Sequence, residues 1–241
     1  MKEDTQKALL ESDPAFACFL QRVRKERNIY LEQLAEGLMS ASQLARIEKG
    51  QRPVHKNMRD RLLGRLGIAS DLYENLLDID DYRTWECQRN IMLAVEQQET
   101  QKAQQLIAEY GRQKLSKDKL KQQFCLVMKA EVLKQQNADS QEIGACYEQA
   151  VRLTIPDIEH FCLEKRLLSI QEVNMVLEYE FYHKDRDFLQ KCAVLMSYVA
   201  ASVYDELSKV KIYPKIVYYY LREVFSVAAS EMPGFKHLRN I

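Results

Sequence analysis

The chain has almost nothing with which to stop a helix. Seven Gly and five Pro are spread over 241 residues, about 5% against the roughly 12% of an average protein. Tight turns must therefore be few, and long helices are the structure that needs fewest of them. Apolar residues return at three- and four-residue spacing, the period of one buried helix face. The fold class expected is all-α: a small domain of four to five helices followed by a longer helical array. The length suits one large domain or a small one joined to a medium one, and either can bury a core.

Helix punctuation is densest in the first 70 residues. Asp13 and Pro14 give an N-cap followed by proline at the first helical position, where its missing N–H is not needed. This predicts a helix from Pro14 to about Arg27 with Phe16, Phe19, Leu20 and Val23 on its buried stripe. A short second helix, Leu31 to about Gly37, turns Leu34 and Ala35 inward. Ser40 and Gln43 have capping-box spacing, so a third helix starts at Ala41 and buries Leu44 and Ile47. It ends at Gly50, and Pro53 prevents continuation. A fourth, Lys56 to about Leu66, stops at Gly67. Two short helices joined by a tight turn, the second opening with small polar residues, make a helix-turn-helix, whose second helix can lie in the DNA major groove.

Charge becomes informative only when counted by segment. Over the whole chain 35 Lys and Arg cancel 35 Asp and Glu. Residues 15–70 nevertheless hold eleven basic side chains against five acidic ones, while 1–14 and 71–241 are both net acidic. A basic module on an acidic body points to a polyanion partner for the module.

Leu34-Ala35 and the string Leu44-x-x-Ile47-Glu48-Lys49-Gly50, within Phe19 to Ile68, resemble the Xre or lambda-repressor-like DNA-binding family. The resemblance implies a structural ion pair between Arg24 of the first helix and Glu48 at the end of the third. Where the family usually has a polar residue at the start of the second helix, this chain has Leu31. With Leu44 and Ile47 inward, Ala41, Ser42, Ala45 and Arg46 face outward, and positions 41, 42 and 46 match those that reach base edges in the family. Ser42 and Arg46 can donate to base acceptors, Arg46 as a fork to guanine worth roughly 1–3 kcal/mol of discrimination. Ala41 offers a methyl group, and Ser40 and Gln43 complete the candidate set at the helix start. Lys49, Arg52, His55 and Lys56 cluster around the next loop, where neutralising phosphates supplies affinity without sequence information.

Residues 1–69 are accordingly expected to form the DNA-binding domain, and 70–241 a linker helix, over 71–77, with a repeat domain. In the latter, Tyr82, Trp85, Met92 and Val95 form one stripe and Ala103, Leu106, Ile107 and Tyr110 the next. Leu120, Phe124, Val127, Met128 and Leu133 are followed by Ile143, Tyr147, Ala150 and Val151, with Asp139 and Glu142 at capping-box spacing. These two units begin about 36 residues apart, near the roughly 34-residue tetratricopeptide period, and Tyr147, Ala150 and Pro156 resemble that repeat's aromatic, alanine and proline positions. Three further helices are expected over about 156–182, 185–207 and 211–230. The apolar stretch Ala193–Tyr204 is shorter than the roughly 18 residues of a membrane span and reads as a core helix. Stacked helix pairs form a superhelix whose concave surface suits extended peptides.

Head, linker and TPR-like array together resemble the cytosolic peptide-pheromone receptors of the Rgg, PlcR and PrgX group, and Lys211–Tyr218 is similar to a segment of their repeat domains. The resemblance implies double-stranded DNA and a short signalling peptide as partners, and a cytoplasmic homodimer that contacts two half-sites and no membrane. Polar groups on otherwise apolar concave faces would hold a peptide backbone. Asn174 and Glu178, four apart on one helix, and Gln88 and Arg89 are the candidates. The residues also admit a protein-interaction adaptor with a vestigial head, or a constitutive repressor without a ligand. Six scattered cysteines (Cys18, Cys87, Cys125, Cys146, Cys162, Cys192) have no metal-ligand spacing and read as reduced thiols of the cytosol. The four histidines lack triad partners and no Gly-rich phosphate loop occurs, so no metal, cofactor or catalytic activity is expected. The start Met1-Lys2-Glu3-Asp4 has no apolar signal-peptide segment.

Overall fold

The computed structural model describes residues 14–68, 79–112, 118–160, 163, 166–183 and 187–231. Eleven α-helices and no strand occur among the described residues, and no helix among them is long and apolar enough to cross a membrane. The expected linker helix over 71–77 and Cys162 lie outside them.

Four helices build the head: α1 (Pro14–Glu26), α2 (Leu31–Ala35), α3 (Ala41–Glu48) and α4 (Lys56–Arg65). Their limits follow from local chemistry. Ser40 Oγ accepts the Gln43 N–H at 3.2 Å while Gln43 Oε1 accepts the Ser40 N–H at 3.1 Å, which satisfies two donors that the start of α3 would otherwise leave bare. Gly50 and Gly67 adopt φ of 65° and 72°, the left-handed geometry that ends a helix at little cost only for glycine. Phe16, Leu20, Val23, Leu34, Leu44, Ile47, Leu62, Leu63 and Leu66 share one core.

Seven helices make the body: α5 (Ile79–Glu96), α6 (Thr100–Arg112), α7 (Lys119–Gln135), α8 (Ser140–Arg152), α9 (Ile170–Tyr182), α10 (Phe188–Ala201) and α11 (Glu206–Glu231). Successive helices pack on one another from α5 to α11, and α9 also meets α11. The turns after α5 and α7 hold Gln98 and Asn137 at φ of 58° and 53°. The second helices of the first two pairs start at Thr100 and Ser140, a spacing of 40 residues, longer than the apolar stripes predict.

Four expectations are corrected. A single helix over 156–182 is replaced by a 3-10 turn, Ile158–His160, and a helix that begins only at Ile170. A capping box starts it there: Ser169 Oγ accepts the Glu172 N–H and Glu172 Oε2 accepts the Ser169 N–H. Helical spacing of the buried Ile155, Ile158 and Leu163 runs across the break and hides it. In α5 the buried stripe is Ile91, Ala94 and Val95, whereas Tyr82 and Met92 are exposed, because among the described residues α6 and α7 are the helices that chiefly cover it. The Asp139 side chain makes no capping bond to α8. Finally, α10 is a core helix on one side only: it packs on α9 and α11, leaving Ala193, Val194, Ser197 and Ala201 exposed.

Head and body meet at a close joint. A Cβ on Gly37 would stand 2.0 Å from the Thr154 carbonyl oxygen, and one on Gly67 2.3 Å from that of Val203, so both contacts require glycine. The Asp205 N–H donates to the Gly67 carbonyl at 3.1 Å and Arg27 Nη1 to the Val203 carbonyl at 3.2 Å. Behind them lies a buried charge cluster. Glu172 of α9, 0% exposed, accepts from Arg65 Nη2 at 2.8 Å and Nε at 3.2 Å, with Arg61 Nη1 at 3.2 Å. Arg65 Nη1 donates to the carbonyls of Leu34 and Glu36, and Arg61 Nη2 to Gln123 Oε1 at 2.7 Å. Burial alone would raise the Glu172 carboxyl, but Arg65 and Arg61 overrule it and hold the group well below the usual carboxylate range.

Candidate nucleic-acid interface

Two opposite faces of α3 have different tasks. Its inner face buries Leu44, Ile47 and Glu48. Arg24 Nε and Nη2 donate to Glu48 Oε1 and Oε2 at 2.6 and 2.7 Å, and Arg24 Nη1 donates to the Ile29 carbonyl at 2.8 Å. This two-pronged contact fixes the rotation of α3 about its axis relative to α1, more tightly than a single bond would. With the inner face so held, Ser42, Arg46 and Lys49 are exposed, while Ala41, Gln43 and Ala45 are half-buried. Positions 42, 46 and 49 are four and three apart and so share one outer face. That face is open with the body in place.

The individual candidates differ in what they can offer. Ser40 and Ser42 are exposed and their hydroxyls lie 3.0 Å apart, while the Gln43 carbonyl is committed to the cap. Arg46, Lys49, Arg52 and His55 are exposed. Lys56 is half-buried and donates to Asp60 at 2.7 Å, which ties up its charge within α4. Tyr30, 71% exposed, was not among the candidates. It stands immediately before α2 with its N–H held by Gln33 Oε1 at 2.9 Å, next to the position where Leu31 has no polar group to give. Its only signal in the sequence is a large aromatic residue at a helix start.

Burial also redistributes the charge of the head. Of its eleven basic side chains Arg24, Arg59, Arg61 and Arg65 are buried, as is the acidic Glu48, which leaves seven basic against four acidic residues outside. About half of the excess expected for a polyanion surface is internal: Arg59 donates to the Val54 carbonyl and packs over the Phe16 ring at 5.7 Å, and Arg61 and Arg65 face the body.

The effector candidates fall into two places. Gln88 Nε2 donates to the Tyr110 hydroxyl at 3.0 Å, and the Arg89 guanidinium lies 5.4 Å from the centre of the Trp85 ring. Asn174 and Glu178 are brought together by Lys215, whose Nζ reaches them at 2.6 and 2.5 Å. Glu178 also accepts from Lys134 Nζ at 2.8 Å and from the Tyr219 hydroxyl at 3.1 Å. It is fully buried and so has no surface for a ligand in this arrangement. Burial would raise its carboxyl, but Lys215 and Lys134 lower it. Asn174, Lys134 and Lys215 are part-exposed in this network, and the helix-face reading passed over the two lysines because Glu178 lies 44 and 37 residues away from them.

No family model matches the sequence, and no curated protein matches it. Among solved structures, the chain is similar to the crystal structure of Bacillus thuringiensis PlcR in complex with the peptide PapR7 and DNA, at 14% identity over 90% of this chain and 77% of that one, with a TM-score of 0.40.

Proposed function

We propose that this chain is a sequence-specific DNA-binding transcriptional regulator, in which α3 enters the major groove and the helical body receives an effector. The observation that carries the reading is the division of α3: a buried ion pair fixes one face while Ser42, Arg46 and Lys49 stand outward on the other. A rigid helix with donors on its free side is what direct readout of base edges needs. Arg46 would read guanine and Ser42 an adjacent acceptor. Lys49, Arg52 and His55 would neutralise phosphates, with the Tyr30 hydroxyl as a further donor to the DNA backbone.

One head reads only a half-site, so the working form would be a homodimer. α11 offers a surface for it, with Val210 67%, Tyr218 60% and Phe225 69% exposed, an apolar run of the kind that interfaces cover. The effector would be a short peptide held along the body, with Asn174, Lys134 and Lys215 as its polar anchors after rearrangement of the Glu178 network, and with Gln88 and Arg89 on the first pair. Its binding shifts the head only if it favours one placement of the head over another.

Selection from randomised duplexes tests the reading. The native chain should enrich a two-fold symmetric motif, and Arg46→Ala should lose the motif's central preference while keeping its helical circular dichroism. Enrichment of the same motif by the variant, or of none by the native chain, overturns it.

A further inference from the structure

We infer that the cavity between the outer side of α10 and the head–body joint binds a small, neutral, largely apolar molecule, and that its occupancy clamps the head on the body. The space is about 590 Å³, inside the roughly 300–1,000 Å³ of small-molecule sites. Ala193, Ser197 and Ala201 of α10 form its floor, and their small side chains, four apart, leave the room. Leu167 and Val203 are walls, as are the rings of Tyr198 and Tyr204.

The chemistry of the lining selects the ligand. Tyr198 donates to the Arg166 carbonyl and accepts the Leu168 N–H, and the Tyr204 hydroxyl donates to the Leu168 carbonyl. Both tyrosines therefore offer ring carbon and little hydroxyl. The two arginines at the rim are also committed, Arg65 to Glu172 and to two carbonyls of the head, and Arg166 to Asp157 at 2.6 Å. An anionic ligand would have to displace one of these carboxylates and a cationic one would find no acidic side chain among the lining residues, whereas a flat apolar body needs neither exchange nor counter-ion. Val194 and Val203, 41% and 40% exposed, supply apolar surface that it would cover.

Coupling to the head follows from three residues that serve both cavity and joint. Arg65 holds the carbonyls of Leu34 and Glu36, at the turn between α2 and α3. Val203 accepts from Arg27, and the Val203–Tyr204 backbone lies against Gly67. A molecule resting on these three side chains stabilises the arrangement in which they are so placed, and with it the docked head.

Saturation-transfer NMR on the full chain tests this with two probes of similar size, neutral 2-naphthol and anionic 2-naphthoate. The expected result is transfer to 2-naphthol with half-saturation below about 1 mM, as ligand-efficiency limits allow for so small a molecule, and at least tenfold weaker binding of the naphthoate. Ser197→Trp fills the floor from an exposed position and should abolish the signal, while Gln105→Trp on α6 should leave it. Exchange of the Asp205 amide hydrogen, which is bonded to Gly67, should slow when 2-naphthol is bound. No transfer, equal transfer to both probes, retention of binding in Ser197→Trp, or unchanged Asp205 exchange overturns the inference. If a second copy of the chain covers this face instead, sedimentation velocity will show a dimer that Ser197→Trp weakens, with no 2-naphthol signal, and that result also overturns it. None of these readouts involves DNA, so the outcome is independent of the proposed regulatory role.

Discussion

Replacing Glu172 by Gln should undo the joint between head and body while changing the shape of the side chain very little. The native carboxylate faces two guanidinium groups, Arg65 at 2.8 Å and Arg61 at 3.2 Å, and also accepts the Ser169 N–H at 2.9 Å. The amide leaves both arginines buried without their counter-ion, and breaking one side of a buried pair costs about 3–5 kcal/mol. With a urea dependence of roughly 1–3 kcal/mol per molar, the unfolding midpoint should fall by about 1–5 M. Hydrogen exchange should show the loss first at Gly67–Ile68 and Asp205, where the backbones of head and body meet. A second variant separates charge from packing: Arg65→Met in the Glu172→Gln background should recover part of the loss, as one unpaired charge is removed. The pH dependence has a definite sign. Because the native carboxyl lies below its ordinary value, its contribution is complete above the unfolded value of about 4.3 and is lost as the pH falls through the lower native value. The stability difference between native chain and variant should shrink accordingly below about pH 4. A midpoint within about 0.3 M of the native one, or a difference that persists unchanged at pH 2, refutes the reasoning.

Three other outcomes follow from the same structure. Arg24→Met strands the Glu48 carboxylate, whose side chain is 2% exposed, and should cost the head about 3–5 kcal/mol in urea unfolding, whereas Arg22→Met, paired with Glu26 at 3.7 Å on the surface, should change stability by less than about 1 kcal/mol. Gly67→Ala combines positive φ with a carbonyl 2.3 Å from the new Cβ, and Gly50→Ala has positive φ with nothing within 4 Å; both should destabilise, the first by at least about 1 kcal/mol more than the second's roughly 1–2 kcal/mol. Lys49 and Arg52 on each of two heads should give a log–log salt slope of about −4 for duplex binding, and Lys49→Ala should reduce its magnitude by about 2 per dimer, measured by fluorescence anisotropy between 50 and 200 mM salt.

The parts of this molecule that were legible in its sequence are those whose chemistry is local. The start of α3 could be read because Ser40 and Gln43 are three residues apart and their bonds close on themselves. Its buried side followed from Leu44 and Ile47. The joint was not legible, because Glu172 and Arg65 are 107 residues apart and nothing in either neighbourhood points to the other. For the same reason Arg59, Arg61 and Arg65 counted as surface charge when they are internal, and Gly37 and Gly67 read as helix stops when they also make room for the body. Periodicity misled where apolar residues keep helical spacing outside a helix, as from Ile155 to Leu163, and where a helix has too few neighbours to bury its whole apolar surface, as in α10. Glu178 shows a further limit: a carboxylate on an apolar helix face looks open until the lysines of α7 and α11 arrive to close it.

The claim on which the functional account rests is that the outer face of α3 enters duplex DNA, and photo-crosslinking tests it most directly. In a Cys18→Ser background, which removes an exposed thiol, a benzophenone maleimide is attached at Ser42→Cys or, for comparison, at Gln105→Cys on the exposed surface of α6. With a duplex carrying the selected motif, the account predicts efficient crosslinks from position 42, suppressed by high salt and by Arg46→Ala, and background yield from position 105. Equal yields from both positions, or none from position 42 while the duplex remains bound, would contradict it.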